Sequence, residues 1–139
     1  MSRTLVDSNV LLDVLTEDPT WFDWSSDALE SQAESSVLVL DPIIYAEVSI
    51  RFDRIEALED ALPSGMFQRD ALPWVAAFLA GRCFVQYRRR GGSKRSPLPD
   101  FYIGAHAAVA GMTLLTRDEG RYRTYFPSLE IFAPSQSAP

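Results

Sequence analysis

Arg3-Thr4-Leu5-Val6-Asp7-Ser8-Asn9-Val10-Leu11 is the stretch of sequence that decides the fold. Its first five residues predict a short buried strand, and Ser8-Asn9 begins a helix whose apolar positions continue at helical spacing to Val14 and Leu15. Further strands are predicted at residues 37–40, 113–116 and 129–132, and helices at 21–33, 42–52, 54–62, 71–87 and 101–110. Short apolar strands that alternate with helices predict an α/β fold, a three-layer α/β/α sandwich with a short parallel sheet.

Length and composition predict one domain. The chain has 139 residues, of which 47% are hydrophobic, so we expect a single domain over residues 1–132 and a flexible tail over 133–139. The one cysteine, Cys83, lies in an apolar run and is expected to be a buried structural thiol. Because no leader or long apolar span is evident, we expect a cytoplasmic protein without a membrane partner.

The charge is unevenly distributed. A formal net charge of -6 argues against a nucleic-acid partner, because phosphates repel an acidic surface. Residues 71–99, however, contain no acidic side chain and carry a basic strip, which consists of Arg82, Arg88, Arg89, Arg90, Lys94 and Arg95. The strip predicts a local cationic surface that could hold a nucleic-acid backbone.

Carboxylates follow the predicted strands. Asp7 ends the first strand and Asp118 lies just beyond the strand at 113–116, so both are expected at the carboxyl edge of the sheet. Asp100 begins a helix after a loop rich in glycine and proline, where it could face the same edge. Each of them alone would equally suit a helix cap, but together they indicate a site.

Glu47 lies in a helix that is apolar over nearly its whole circumference, with Ile43 and Ile50 on its own face. A carboxylate in such surroundings must be paired, protonated or bound to a metal ion. A buried ion pair with Arg51 or Arg54 is therefore the alternative to a place in the site.

Carboxylates without histidine or thiolate partners favour Mg²⁺ or Mn²⁺ and not zinc. The lone histidine, His106, lies in an apolar helix. We expect a packed or interface histidine there rather than a ligand or an acid–base group.

An ordered set of motifs resembles the VapC-type PIN domains over almost the entire chain. The motifs are Asp7-Ser8-Asn9, Glu47, Pro99-Asp100-Phe101-Tyr102-Ile103-Gly104-Ala105-His106-Ala107, Leu115-Thr116-Arg117-Asp118 and Tyr125-Phe126-Pro127. The resemblance implies a metal-dependent ribonuclease in which Asp7, Glu47, Asp100 and Asp118 hold one or two Mg²⁺ or Mn²⁺ ions. It assigns Ser8, Asn9 and Thr116 to the orientation of carboxylates or water, although capping or turn formation would explain them equally well.

The resemblance also implies partners. Such proteins are toxins of type II toxin–antitoxin pairs, so a VapB-type antitoxin, a homodimer and an RNA substrate are expected. We expect Arg88, Arg89, Arg90, Lys94 and Arg95 to bind RNA phosphates, unless the loop is only a solvated surface. A tRNA or rRNA loop is a candidate target, because unpaired bases are accessible to proteins that recognise RNA sequence.

Several alternatives remain open. By position Asp41 ranks with Glu47, but because it precedes Pro42 we expect it to cap a helix. We expect Trp21 and Trp24 in the core, with a partner surface as the alternative. A further set of acidic residues is expected on solvated helix faces, namely Asp13, Glu17, Asp18, Glu56 and Glu59. A receiver domain fits poorly, because the only lysine is Lys94, whereas a non-catalytic module with the same fold is the competing function.

Overall fold

Five strands and seven helices make up the part of the chain, residues 2–134, that the computed structural model describes. The strands are β1 (Ser2–Val6), β2 (Ser36–Leu40), β3 (Gln68–Arg69), β4 (Thr113–Leu115) and β5 (Ile131–Phe132). The helices are α1 (Ser8–Leu15), α2 (Phe22–Ser35), α3 (Pro42–Ser49), α4 (Ile55–Ala61), α5 (Trp74–Arg89), α6 (Pro99–Ala110) and α7 (Gly120–Tyr125). Residues 135–139 of the predicted tail lie outside the described range.

The sheet has the strand order β3-β2-β1-β4-β5, and every neighbouring pair is parallel. Leu5 lies at its centre, opposite Val39 on one side and Leu114 on the other. All three side chains are buried, as expected for a parallel sheet that is flanked by helices. The predicted α/β sandwich is confirmed.

The first and second parts of the chain add their strands on opposite sides of β1. The strands β2 and β3 lie on one side of β1, and β4 and β5 lie on the other, so the topological switch point is between β1 and β4. Such a switch point leaves a crevice beyond the carboxyl ends of the two central strands. Asp7 and Thr116 are the first residues after β1 and β4, so both lie at this crevice.

Two short elements were not predicted from the sequence. The strand β3 has two exposed residues, and α7 is a polar helix of six residues with only Tyr122 buried. Neither carries the apolar periodicity from which the longer elements were predicted. The helix predicted from residue 71 begins instead at Trp74, because Pro73 occupies the position before its first turn.

Cys83 and Gly111 lie in the core and at a helix end respectively. Cys83 is buried on the inner face of α5, as predicted. Gly111 ends α6 in the left-handed conformation, with a φ of 68°, which glycine adopts without a steric penalty. Across residues 2–134, no helix combines the length and the apolar character that crossing a membrane requires.

Candidate active site

Asp7 is the centre of a hydrogen-bonded cluster at the switch point. Its side chain is 4% exposed, and its Oδ1 accepts a hydrogen bond of 2.7 Å from the backbone N–H of Ser8. Its Oδ2 accepts two hydrogen bonds of 2.9 Å, one from the Thr116 hydroxyl and one from the phenol of Tyr122. The carboxylate therefore has three donors from three separate segments of the chain.

Burial raises the pKa of the Asp7 carboxyl from 3.8 to about 6, because desolvation disfavours the charged form. The nearby charge of Asp100 raises this pKa further, whereas the hydrogen bonds from Thr116, Tyr122 and Ser8 lower it. The net rise shows that the protein's own donors only partly compensate the buried negative charge. A bound cation would complete the compensation.

Asp100 belongs to the same cluster through Tyr122. The phenol oxygen of Tyr122 lies 3.2 Å from Asp100 Oδ1, and the Arg121 guanidinium lies 3.5 Å from Asp100 Oδ2. Burial raises the pKa of Asp100, and the charge of Asp118 adds to that rise. Asp118 itself is exposed in the turn after β4, where its backbone N–H donates to Thr116 Oγ1 at 3.2 Å.

Glu47 reaches the cluster from α3. The Ser8 hydroxyl donates to Glu47 Oε1 at 2.8 Å, and this carboxylate is half-buried. Burial raises its pKa, and the charges of Asp100 and Asp41 act in the same direction. Among the described residues no arginine forms an ion pair with Glu47, so the predicted alternative of a pair with Arg51 or Arg54 is wrong.

Polar side chains connect the two central strands around these acids. Asn9 Nδ2 donates to Thr116 Oγ1 at 3.2 Å, and Asn9 Oδ1 accepts the backbone N–H of Arg117 at 3.2 Å. Because Thr116 Oγ1 accepts the hydrogen bond from Asn9, its single hydroxyl proton is left to donate to Asp7. Ser8 and Thr116 thus contact the acidic residues, and Asn9 contacts Thr116.

Tyr122 was not singled out in the sequence. Its helix α7 packs closely on α6, where Gly104 leaves room for the ring of Phe126 and an added Cβ would lie 2.4 Å from that ring. The side chain of Tyr122 is 1% exposed, and burial together with two neighbouring carboxylates raises the pKa of its phenol well above 10. A polar tip at an otherwise apolar position of a short helix gives no periodic signal.

Asp13 was expected on a solvated helix face, and this prediction is wrong. Its carboxylate is 2% exposed and accepts two hydrogen bonds from the Arg117 guanidinium, Nε to Oδ2 at 2.8 Å and Nη2 to Oδ1 at 3.0 Å. The Ser25 hydroxyl donates to the same Oδ2 at 2.7 Å. A partner 104 residues away in the chain satisfies this buried charge, and such a partner is invisible to helical periodicity.

Asp41 and His106 form a separate buried pair. Asp41 caps α3 as predicted, because its Oδ1 accepts the backbone N–H of Ile44 at 2.9 Å. Its Oδ2 lies 2.9 Å from Nδ1 of His106, a side chain that is 1% exposed. His106 is therefore packed in the interior, as expected.

The basic strip is mostly exposed, but its members differ in their contacts. Arg88 Nη1 donates to the carbonyls of Gly92 and Lys94, both at 3.0 Å, so Arg88 holds the turn that follows α5. The Arg90 guanidinium lies 5.1 Å from the ring centroid of Tyr125. The other members, Arg82, Arg89, Lys94 and Arg95, are exposed as well.

The tryptophans expected in the core or at a partner surface are partly buried. The rings of Trp21 and Trp24 pack edge to face with centroids 6.3 Å apart, and the centroid of the Trp24 ring lies 6.2 Å from that of Phe132. The most exposed of the large apolar side chains on α5 are Trp74, 91% exposed, and Phe78, 70% exposed.

The donor set has the chemistry of a site for a hard cation. All its ligating atoms are oxygens, and burial and mutual repulsion raise the pKa of Asp7, Glu47 and Asp100. Within residues 2–134, however, no three acidic, histidine or cysteine side chains already lie in an arrangement that could hold a metal ion. The residues fit such an ion by their type and charge, and the phenol of Tyr122 lies between the carboxylates of Asp7 and Asp100.

Comparison with known proteins places this geometry in a family. The family model of the PIN domain matches residues 4–127. No match was found among the curated proteins. Solved structures with a similar fold do exist, at sequence identities that establish the likeness of fold alone.

Three of these structures illustrate the likeness. A chain in VapBC2 from Rickettsia felis bound to a promoter DNA fragment aligns with a TM-score of 0.72 and 17% identity, covering 95% of this chain and 98% of that chain. A chain in VapBC-1 from nontypeable Haemophilus influenzae aligns with a TM-score of 0.70 and 15% identity, covering 94% of this chain and 96% of that chain. A chain in FitAcB from Neisseria gonorrhoeae aligns with a TM-score of 0.68 and 20% identity, covering 93% of this chain and 96% of that chain. Because the family model spans nearly the whole chain, the chain belongs to the PIN-domain family.

Proposed function

We propose that this chain is a metal-dependent endoribonuclease that hydrolyses RNA phosphodiester bonds as the toxin of a type II toxin–antitoxin pair. PIN domains are typically nucleases, and those nucleases use divalent metals. The observation that carries the proposal is the buried Asp7 carboxylate, whose pKa of about 6 reflects a negative charge that its three hydrogen-bond donors only partly compensate.

Four carboxylates, Asp7, Glu47, Asp100 and Asp118, would hold one or two Mg²⁺ or Mn²⁺ ions. When bound, the ion supplies a water nucleophile of lowered pKa and neutralises charge on the phosphate oxygens. Ser8 orients both Asp7 and Glu47, through its backbone N–H and its hydroxyl respectively. Thr116 orients Asp7, and Asn9 holds Thr116, so the ligands are fixed by side chains behind them.

RNA would be held along the basic strip that leads into α6. Arg89, Lys94 and Arg95 are exposed and free to meet phosphates, whereas Arg88 is engaged with the turn and contributes mainly its charge. Arg90 also belongs to this surface, beside the ring of Tyr125. Arg121 adds a cation directly beside Asp100. A tRNA or rRNA loop would present the flexible, unpaired backbone that such a site can accept.

A protein partner is part of the proposal. The similar chains come from structures named as VapBC and FitAB complexes, which supports a VapB-type antitoxin for this chain. Exposed apolar side chains on α5, Trp74, Val75 and Phe78, supply a surface that a partner or a second copy would cover. A complex of this kind would act in the cytoplasm, where its RNA substrate is found.

Cleavage of total bacterial RNA tests the function directly. Purified protein is incubated with RNA and Mg²⁺ or Mn²⁺, beside a sample with EDTA and beside the Asp100→Asn variant. We expect discrete products that require metal and disappear in the variant. Asp27→Asn is the matched control, because it removes an exposed carboxylate on α2 and should leave the products unchanged.

The competing function is a non-catalytic PIN-fold module that binds RNA or protein. If RNA stays intact under all conditions while the protein still retains it in a filter-binding assay, the ribonuclease proposal fails and the binding module replaces it. Loss of cleavage in Asp100→Asn with unchanged RNA retention would separate catalysis from binding in favour of the enzyme.

A further inference from the structure

The phenol of Tyr122 lies between two carboxylates that the proposed function assigns to metal binding. Its oxygen is 2.9 Å from Asp7 Oδ2 and 3.2 Å from Asp100 Oδ1. A phenol has one proton, so it donates to one carboxylate at a time, and the shorter distance favours Asp7. Tyr122 therefore spans both acids while it occupies mainly one oxygen of Asp7.

The hydrogen bonds leave Asp7 only one free position. An ionised carboxylate offers about four lone-pair sites, roughly two on each oxygen. On Oδ2 both are taken, one by Tyr122 and one by Thr116, and on Oδ1 one is taken by the backbone N–H of Ser8. A cation that approaches Asp7 without breaking these bonds meets a single lone pair, on Oδ1.

We propose that Tyr122, together with Thr116, is a positioning residue that restricts Asp7 to a single coordinating oxygen and thereby selects Mg²⁺ or Mn²⁺ over Ca²⁺. Ca²⁺ takes more ligands at longer distances and often binds both oxygens of a carboxylate, whereas Mg²⁺ requires a compact octahedral set. Blocking Oδ2 removes the bidentate mode and so disfavours the larger ion. The inference rests on the proposed metal site and goes beyond it, since it assigns ion selectivity to a side chain outside the ligand set.

The surroundings of Tyr122 prevent it from moving aside. The side chain is buried, and its helix is held against α6 by the contact of Phe126 with Gly104. The neighbouring Tyr125 packs edge to face on Phe101 of α6 with ring centroids 5.0 Å apart. A cation therefore cannot gain Asp7 Oδ2 by rotating the phenol into solvent.

Tyr122→Phe is the direct test, because it removes the hydroxyl and keeps the ring. Calorimetric titration of the metal-free protein with Mn²⁺ and with Ca²⁺ gives two dissociation constants for each variant. We expect Mn²⁺ binding to weaken about tenfold, the usual effect of losing a side chain that orients a ligand. Ca²⁺ binding should weaken less or strengthen, so the preference for Mn²⁺ over Ca²⁺ falls.

Two further variants keep the test decisive. Thr116→Val frees the other lone pair of Oδ2 and should shift the preference in the same direction. Thr124→Val removes an exposed hydroxyl from α7, the helix that carries Tyr122, and should leave both constants unchanged. Thermal unfolding in EDTA identifies a variant that fails to fold, in which case the remaining variant decides.

The outcomes separate this inference from the proposed function. If wild type binds Mn²⁺ but Tyr122→Phe and Thr116→Val weaken both metals equally, the two side chains have only a structural role and the selectivity inference is wrong. If wild type binds neither ion, the metal-dependent nuclease proposal fails and the inference fails with it. A lowered preference in the two variants, with an unchanged control, supports the inference.

Discussion

Asp7 and Asp41 occupy matching places in the fold and have different surroundings. Each is the first residue after one of two adjacent central strands, each caps the following helix, and each is almost fully buried. The second oxygen of Asp41 meets one partner, the imidazole of His106. The second oxygen of Asp7 meets two hydroxyls and lies near another carboxylate, which helps to raise its pKa.

The residue that follows each aspartate explains part of this difference. Pro42 has no N–H, so the capping bond of Asp41 goes to Ile44, three residues along the chain. Ser8 donates its own N–H to Asp7 and its hydroxyl to Glu47. Asp41 is thus a satisfied structural group, whereas Asp7 is held in a state that favours added positive charge. Matching positions in the fold thus acquire different roles, partly from the residue that follows each aspartate and partly from partners that are distant in the chain.

The largest expected effect is the loss of stability when Asp41 is truncated. Asp41→Ala removes the cap of α3 and leaves the His106 imidazole buried without a partner. We expect the free energy of unfolding to fall by about 3 kcal/mol, roughly 1 from the cap and 2 from the unsatisfied group. Urea denaturation at pH 7 measures the change.

The control for this prediction is Asp53→Ala, which truncates an exposed aspartate. It should unfold at the same urea concentration as wild type. A wild-type midpoint for Asp41→Ala would mean that the buried pair does not stabilise the fold, and the contrast with Asp7 would be lost.

The second expected effect is a pH dependence that belongs to Asp7. Its pKa is raised from 3.8 to about 6 in the folded protein, so folding binds a proton more tightly. The associated stability is fully present below about pH 4 and is lost as the pH rises through 6. Between pH 4.5 and 7.5 the metal-free protein should lose about 2 kcal/mol from this group.

Asp7→Asn isolates that contribution because its amide does not titrate. In EDTA we expect the variant to gain stability relative to wild type as the pH rises from 4.5 to 7.5, by the same amount. Urea denaturation at several pH values provides the comparison. A constant difference between the two proteins would show that the buried carboxylate does not carry the excess charge we assign to it.

The sequence predicted the parts of this comparison that depend on short-range patterns. Apolar runs located β1, β2 and β4, and the aspartate before Pro42 predicted a cap that the structure confirms. In the predicted parallel sheet the carboxyl ends of the strands share one edge, so that edge was identified as the place to find a site. These features depend on local spacing, which a single sequence displays.

The remaining features depend on tertiary partners. Asp13 has the spacing of a surface residue, yet Arg117 reaches it from beyond β4 and makes its burial possible. His106 could be recognised as packed, but nothing in its helix indicates Asp41 as its partner. Tyr122 lies in a helix too short and polar to be predicted, and so its place beside Asp7 became visible only in three dimensions.

The smallest expected effect concerns the serine that distinguishes the Asp7 position from the Asp41 position. Ser8→Ala keeps the N–H to Asp7 and removes the 2.8 Å hydroxyl bond to Glu47. We expect a loss of about 1 kcal/mol in metal-free stability at pH 8, because an ionised Glu47 needs the donor. Because burial raises the pKa of Glu47, a lower pH protonates it in the folded protein and the loss should shrink.

Urea denaturation of Ser8→Ala at pH 8 and pH 5, beside the exposed control Ser31→Ala, measures both values. An equal loss at the two pH values would mean that the hydroxyl acts on packing or capping and not on the Glu47 charge, and the link between α1 and α3 would then play no part in the electrostatics of the site.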